Sequence, residues 1–390
     1  MIAGTTLIQR IRTWLVSGRG QWTVRRAKRR LQVARYWRNA ADLDQAAQAA
    51  HHALRLVQRC PSDAVPVMFV ADIATTVAQI ERDRDEYAVG RDHFEYAASL
   101  LEPVTAAADR DRLLTRTLLG LGDCHRRDGH YPDATQVLDR ARQLAEAADA
   151  AEPDLLAAVL TLQGITAKEI GEFDRAACAY AQVHQIHRDH GATTGDAAAL
   201  QHNLAGLDYS RGRYPQAEVH ARHAVALRRE ASGPTSTEFA ADLAVLASAL
   251  AGQRKYGPAR ALFEQALAIN RAARPPRRYD IAVLIHNLAD IEHATGQTDN
   301  AEHLYLQALT LKEQVLGVDH PEVGLLANNL ATLLHEQQRR PEAETFYRRA
   351  LAIAERKFPP EHPTTLRVRQ HLHELTHHLE PDPAGAALTT

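Results

Sequence analysis

Three stretches of this chain can be laid over one another. Residues 202–227 read HNLAGLDYSRGRYPQAEVHARHAVAL, residues 286–311 HNLADIEHATGQTDNAEHLYLQALTL, and residues 328–353 NNLATLLHEQQRRPEAETFYRRALAI. Their Asn-Leu-Ala triplets begin at positions 203, 287 and 329, so the second gap is half the first, and the intervening position at 245 carries Val-Leu-Ala. The pattern continues upstream in 162–183 and 120–144, and more faintly in 66–102 and 24–59. A unit this short cannot bury its apolar face alone, so neighbouring copies must stack and share one continuous core. The 390 residues therefore read as an array rather than as two or three separate globular domains.

Each repeat has the marks of two helices. Gly212 interrupts the first helix of its repeat, as Gly129, Gly171 and Gly296 do in theirs. Proline follows at Pro132, Pro215, Pro258 and Pro341, where the first turn of a helix tolerates its missing N–H. The second helix keeps alanine at 134, 176, 217, 259, 301 and 343, and again seven residues later at 141, 224, 266, 308 and 350. Residues seven apart share a helix face, and methyl side chains there let helices approach closely. Phe263, Tyr305 and Tyr347 lie between the two alanine rows. With aromatics at 5% and only 20 glycines, nothing in the composition favours a sheet, and the fold class is all-α.

A small residue, then Gly, aromatic, Ala, aromatic and Ala at these spacings resembles the tetratricopeptide repeat. The 42-residue period, and His-Pro in the linkers LGVDHPEV (316–323) and FPPEHPTT (358–365), resemble the kinesin light chain subtype. Val245 in place of Asn and the linker ARPPRRYD (273–280) depart from that pattern. The resemblance implies an α-solenoid of about eight helix-turn-helix repeats in a right-handed superhelix. It places degenerate repeats at 24–105, clear ones at 110–358, and a C-terminal capping helix at 359–380. Residues 1–23 remain as a basic amphipathic segment and 381–390 as a flexible tail.

The same resemblance implies a binding surface lined by the first helices. Its positions correspond to His202, Asn203 and Tyr209, with a weak contribution from Ser248. They continue with His286, Asn287, Asp290 and His293, and with Asn328, Asn329, Thr332 and His335. An Asn amide offers an acceptor and two donors, so a row of them can hold the backbone of an extended peptide whatever its side chains. The alternative is that these amides bond across to adjacent helices and fix the array. Arg116, Arg126 and Arg127 are the basic residues near this set. Because histidine titrates near neutrality, acidic peptides are expected to bind more tightly as pH falls from about 7.5 to about 6.

Catalytic signals are weak. His-Glu-Leu-Thr-His at 373–377 spells a zinc protease signature. On a helix, however, Leu372, Leu375 and Leu379 share one face and His373 and His377 point away from it, so a chance match is the better reading. There is no phosphate-binding GxxxxGK[ST] loop and no GxSxG. The expectation is a chain with no catalytic residues, metal or cofactor. Cys60, Cys124 and Cys178 lack CxxC spacing and read as core residues of a reduced, cytoplasmic protein. No apolar run reaches membrane-spanning length.

Charge is near balance at −2 overall but uneven: the segment 1–38 holds ten Arg/Lys and no acid. Ile8, Ile11 and Leu15 form an apolar stripe among these arginines. Such an arm can dock on protein, or contact nucleic acid or an anionic membrane. Three functions follow. The first is a scaffold or adaptor binding a peptide or partner protein in the groove. The second is a regulator that changes conformation on binding a signalling peptide. The third is a nucleic-acid or membrane adaptor acting through the basic arm.

Overall fold

The computed structural model describes residues 19–61, 64–147, 152–274 and 276–377. The apolar stripe at 8–15 and the tail expected at 381–390 lie outside the described residues. These residues form seventeen helices and no strand. They fall into two compact units, Met1–Gly191 and Ala192–Thr390.

The N-terminal unit holds four helix pairs: α1 (Arg19–Asn39) with α2 (Leu43–Gln58), α3 (Val67–Asp83) with α4 (Tyr87–Leu101), α5 (Ala108–Arg127) with α6 (Tyr131–Ala147), and α7 (Pro153–Glu169) with α8 (Phe173–His190). The C-terminal unit holds α9 (Thr194–Ser210) with α10 (Tyr214–Ser232), α11 (Thr237–Gly252) with α12 (Tyr256–Ala272), α13 (Arg278–Ala294) with α14 (Thr298–Leu316), and α15 (Pro321–Glu336) with α16 (Arg340–Lys357). A last helix, α17 (Pro363–His377), packs on α15 and α16. Within each unit a first helix packs on its own partner, and that partner packs on the next first helix. Each unit is thus an all-α stack of four helix pairs, and the C-terminal unit carries a final helix, among the described residues.

The alanine rows are where the helices meet. Ala134, Ala176, Ala217, Ala259, Ala301 and Ala343 are all fully buried. Sixteen residues after a small side chain in the first helix comes a large one in the second: Gly122 and Leu138, Gly164 and Tyr180, Ala247 and Phe263, Ala289 and Tyr305, Ala331 and Tyr347. Each of these large side chains is at most 1% exposed. Burying a ring of this size stabilises by about 2–3 kcal/mol, provided the opposite residue leaves room.

The turns inside the pairs share one backbone conformation. Ala41, Asp85, Gly129, Gly171, Gly212, Arg254, Gly296 and Gln338 all have φ between 59° and 83°. The hydrogen bonds are the same whatever the residue. In one turn the Gly212 N–H donates to the Tyr209 carbonyl and the Arg213 N–H to that of Asp208; in another, Gln338 donates to His335 and Arg339 to Leu334. Helix pairing thus imposes the left-handed residue, and glycine only lowers its cost.

The His-Pro linkers are helix starts. The His320 Nδ1 accepts the Glu322 N–H at 3.2 Å, and the His362 Nδ1 accepts that of Thr364 at 3.2 Å, each around a proline in the first turn. Where His-Pro is missing, Arg277 occupies the cap position and makes no side-chain cap bond. Glu322 also joins three elements, accepting from Tyr279 Oη at 2.6 Å and Lys312 Nζ at 2.9 Å. Burial alone would raise its pKa, but Lys312, His320 and Tyr279 hold it down to about 2.

Among the cysteines, Cys124 is buried and Cys60 half-buried, but Cys178 is exposed, which corrects its reading as a core residue. It sits on the outward face of α8, where helical spacing turns it away from Ala176 and Ala179. No helix among the described residues is long and apolar enough to cross a membrane.

The contact between Gly164 and Tyr180 gives a test. A Cβ built on Gly164 would lie 2.4 Å from the Tyr180 ring. Alanine is the better helix former by about 1 kcal/mol, while overpacking a filled core costs about 1–3 kcal/mol. Gly164→Ala is expected to lower the urea midpoint, and an unchanged or raised midpoint would show that the contact yields.

Candidate interaction face of the C-terminal unit

The sequence-predicted residues of the C-terminal unit fall on α9, α13 and α15, and the structure sorts them into two groups. The first group is bonded within the protein. His202 Nδ1 lies 2.8 Å from Asp242 Oδ1 on α11, and the other oxygen of that buried carboxylate accepts from Arg228 Nε at 3.1 Å. His286 is only 6% exposed, and its Nε2 lies 3.0 Å from the Asn329 Nδ2 on α15. His293 Nε2 reaches Glu336 at 2.7 Å. Asn328 is 4% exposed, with its Oδ1 3.0 Å from His371 of α17. Thr332 Oγ1 donates to the Asn328 carbonyl and lies 3.1 Å from Tyr347 Oη. His335 stands edge-on to the same ring, 6.4 Å between centroids.

His286 and Asn328 are thus interior residues, a correction to their reading as surface contacts. Their side chains point between first helices, where burial requires the partners found. The bonding runs from one repeat to the next, so these residues tie neighbouring first helices together.

The second group keeps free bonding capacity. Asn203 and Asn287 are half-buried, and their amides make no side-chain hydrogen bond among the described residues. Tyr209 is 42% exposed, its ring 5.5 Å from that of Tyr214. The Asp290 side chain is 45% exposed. Its Oδ1 accepts from Tyr305 Oη at 2.6 Å and Asn329 Nδ2 at 3.3 Å, and lies 3.6 Å from His286 Nε2. Burial first, and then the Asp290 charge, push the Tyr305 hydroxyl far above its ordinary range, so it remains a donor. Donors thus fix one oxygen of Asp290. Between α9 and α13, α11 contributes the half-buried Val245 and Ser248, whose hydroxyl is taken by the Ala244 carbonyl.

In the N-terminal unit the three arginines separate as well. Arg126 donates to Asp123 at 2.8 Å and Glu169 at 2.7 Å with its side chain only 11% exposed, and Arg127 lies 3.7 Å from Asp123 and over the Tyr87 ring. Burial opposes ionisation of Asp123, yet Arg126, Arg127 and Arg82 together hold its carboxyl well below the usual range. Arg126 and Arg127 are therefore committed to a buried ion cluster, and as free basic contacts they are corrected. Arg116 remains outward, 55% exposed, with Glu152 at 3.8 Å.

Sequence reasoning missed Asp242, Arg228, Tyr305, Glu336 and His371 as polar partners. Their spacing is the signal that could have found them: His202–Asp242, His286–Asn329, His293–Glu336 and Asn328–His371 are separated by 40–43 residues, one repeat. At the tip of α17, Leu375 is buried while His373 and Glu374 are exposed, as the helical placement of His-Glu-Leu-Thr-His requires. The side chain of His377 lies outside the described residues.

Burial lowers the His286 pKa to about 4, with Asp290 opposing the shift. It therefore stays neutral between pH 7.5 and 6 and cannot supply the acid-enhanced binding expected of it. Its consequence is for stability. An unfolded His takes its proton near 6.5, so the unfolded state binds a proton that the folded state refuses, and stability is lost as pH falls from about 6.5 to about 4. At pH 5 that loss is about 2 kcal/mol. Urea midpoints at pH 7 and pH 5 are expected to differ more for the wild type than for His286→Gln; equal pH dependence would contradict the buried neutral imidazole.

The tetratricopeptide repeat family model matches residues 196–272 and 280–372. No curated protein matches the chain significantly in sequence. Among solved structures, the Rap conjugation gene regulator of plasmid pLS20, in complex with the Phr* peptide, gives a TM-score of 0.59 at 13% identity, covering 90% of this chain and 98% of its own. The apo quorum sensor NprR from B. thuringiensis gives 0.58 at 12% identity, over 84% and 87%. Kinesin light chain repeats from Podosopora anserina are 22% identical over 53% of this chain and 97% of theirs, with a TM-score of 0.40. At these identities the likeness to the first two shows the fold. The residues that the family model matches are tetratricopeptide repeats and lie in the C-terminal unit, and the helices pair in the same way throughout the described residues.

Proposed function

We propose that the chain is a non-catalytic interaction protein that holds an extended peptide, or such a segment of a partner protein, on the first-helix face of its C-terminal unit. The observation that carries this reading is the pair of amides at Asn203 and Asn287. They occupy equivalent positions two repeats apart and keep their donors and acceptors unspent, whereas Asn328 and Asn329 bond within the protein. A half-buried amide with its donors and acceptor unspent can take a ligand's polar groups, and a peptide backbone presents the matching C=O and N–H. Tyr209 and Asp290 stand beside these amides as side-chain contacts. Arg116, also outward, is a separate basic contact of the N-terminal unit in this reading.

A second reading, a regulator that changes conformation on binding a signalling peptide, draws support from the two bacterial structures above, one a gene regulator with bound peptide and one a quorum sensor. Small-angle scattering of the chain with and without a selected peptide separates the two: the regulator contracts or expands, and the scaffold does not.

The test is selection of a random 12-residue peptide display library on the full chain, followed by calorimetry of the selected peptides. Asn203→Ala/Asn287→Ala is expected to weaken binding about 10- to 100-fold, two hydrogen-bonding amides at about 1 kcal/mol or more each, with melting shifted little. Asn329→Ala is expected instead to lower stability by about 1 kcal/mol. Peptides bound equally by the double variant would move the site elsewhere.

A further inference from the structure

The exposed side of α1 carries Arg25, Arg26, Arg29 and Arg30 close together. Its inward side is apolar: Ala27, Leu31 and Ala34 are buried in the core of the first helix pairs. At 100° per residue, Trp22, Arg25, Arg26, Arg29, Val33 and Tyr36 lie within about 60° of one another's mid-line on the opposite side, over a length of about 21 Å. All six are exposed, Trp22 at 58% and Tyr36 at 65%. The Arg26 guanidinium lies 5.1 Å from the centre of the Trp22 ring. Arg30 joins the first five of these residues in lining one hollow.

Two observations separate this surface from an ordinary solvated helix. First, its charges are unpaired. Arg35, Arg38, Arg82, Arg84, Arg91, Arg126, Arg175, Arg339 and Arg356 all meet a carboxylate within 4 Å. Arg25, Arg26, Arg29 and Arg30, with Arg55 of α2 and Arg59 at its C-terminal cap, meet none among the described residues. The segment 1–38 contains no acid that could pair with them, Asp42 caps α2, and Asp44 is taken by Arg84. Second, the charges converge. The pKa of His52 on α2 is pushed down by burial and then by Arg30, Arg26, Arg55 and Arg59, so four guanidiniums from two helices bear on one ring. Like charges gathered this way destabilise the free protein and are offset when a polyanion binds.

We infer that this face of α1, with Arg55 and Arg59 beside it, docks single-stranded nucleic acid. Guanidiniums recognise phosphate bidentately. Aromatic rings set among them supply stacking platforms for bases, which every unpaired base can use. A duplex hides its base faces and leaves Trp22 and Tyr36 without a partner. A membrane-lying helix needs its apolar residues on one side and its basic ones on the other; here the apolar side is spent in the core, and Trp22, Val33 and Tyr36 are mixed with the arginines. The inference stands apart from peptide binding, since it uses a different unit of the protein.

The experiment is fluorescence anisotropy of a labelled, mixed-sequence 15-nucleotide DNA and its RNA counterpart with the full chain, between 50 and 300 mM salt. Binding is expected to weaken steeply with salt. In Arg25→Gln/Arg26→Gln/Arg29→Gln/Arg30→Gln the log–log salt slope should fall by about 3, from four phosphate contacts at about 0.7 each. Trp22→Ala should cost about tenfold in affinity at unchanged slope, the scale of one lost stack. Both variants alter exposed positions and should keep wild-type helicity. Parallel arms use a 15-base-pair duplex and vesicles of phosphatidylcholine and phosphatidylserine mixed two to one. The inference is overturned by no oligonucleotide binding at 50 mM salt, by binding that the quadruple variant retains, by duplex bound as tightly as single strand with Trp22→Ala neutral, or by arginine-dependent capture of vesicles in place of oligonucleotides.

Discussion

In six of the eight helix pairs, from Ala78 and Phe94 to Ala331 and Tyr347, a residue with little or no side chain is followed sixteen positions on by a bulky one, and the packing of those pairs depends on that match. Gly164 under the Tyr180 ring is the extreme case, with no room for even a methyl group. Alanine plays the same part at 247, 289 and 331 beneath Phe263, Tyr305 and Tyr347. Interiors pack as densely as organic crystals, so this complementarity fixes both the distance between the two helices and their register. The alanine rows of the second helix then set how closely the following repeat can approach. Once these distances are fixed, the turn between the helices has little freedom, and a left-handed residue appears at the same place in all eight pairs even where it is Ala, Asp, Arg or Gln.

Close packing also decides what becomes of the polar residues. First helices that lie side by side bring together side chains one repeat apart, and many of these pairs bond: Arg35 with Asp72, Thr75 with Thr117, Arg126 with Glu169, His202 with Asp242, His286 with Asn329. Such bonds add modest net stability, but an unmet partner in the same place would be costly, so they specify which neighbours fit. A polar residue on a first helix therefore has two competing uses, to tie its neighbour or to meet a ligand. Asp290 does both, with one oxygen held by Tyr305 and Asn329 and its side chain still half exposed.

The proposed sites follow from residues left over by this arrangement. Asn203 and Asn287 make no side-chain hydrogen bond among the described residues: where Asn329 meets His286 one repeat back, the corresponding positions hold Leu160 and Ala244. Arg25, Arg26, Arg29 and Arg30 of α1 meet no carboxylate among the described residues: the sequence before Asp42 contains no acid, and the acids of α3 that reach α1 meet Arg35 and Arg38 instead. In both places the unspent capacity belongs to residues that the solenoid does not need for its own closure.

Repeat period, helix pairing, the alanine rows and the aromatic positions were all legible in the sequence, because each is a local spacing repeated often enough to exceed chance. So were four of the eight turns, those marked by glycine, and the exposed placement of His373 and Glu374 on the last helix. The other turns, at Ala41, Asp85, Arg254 and Gln338, carry no such mark, because there the helix contact rather than the residue imposes the conformation. The fate of the polar residues was not legible either. Asn328 and Asn329 read the same as Asn203 and Asn287, and Arg126 the same as Arg116. Only the packing of first helices puts His371 against Asn328 and Glu169 against Arg126. A hydrogen bond between residues some forty apart depends on a separation of a few tenths of an ångström, and that distance is set by the stacked helices, not by the local pattern of the chain.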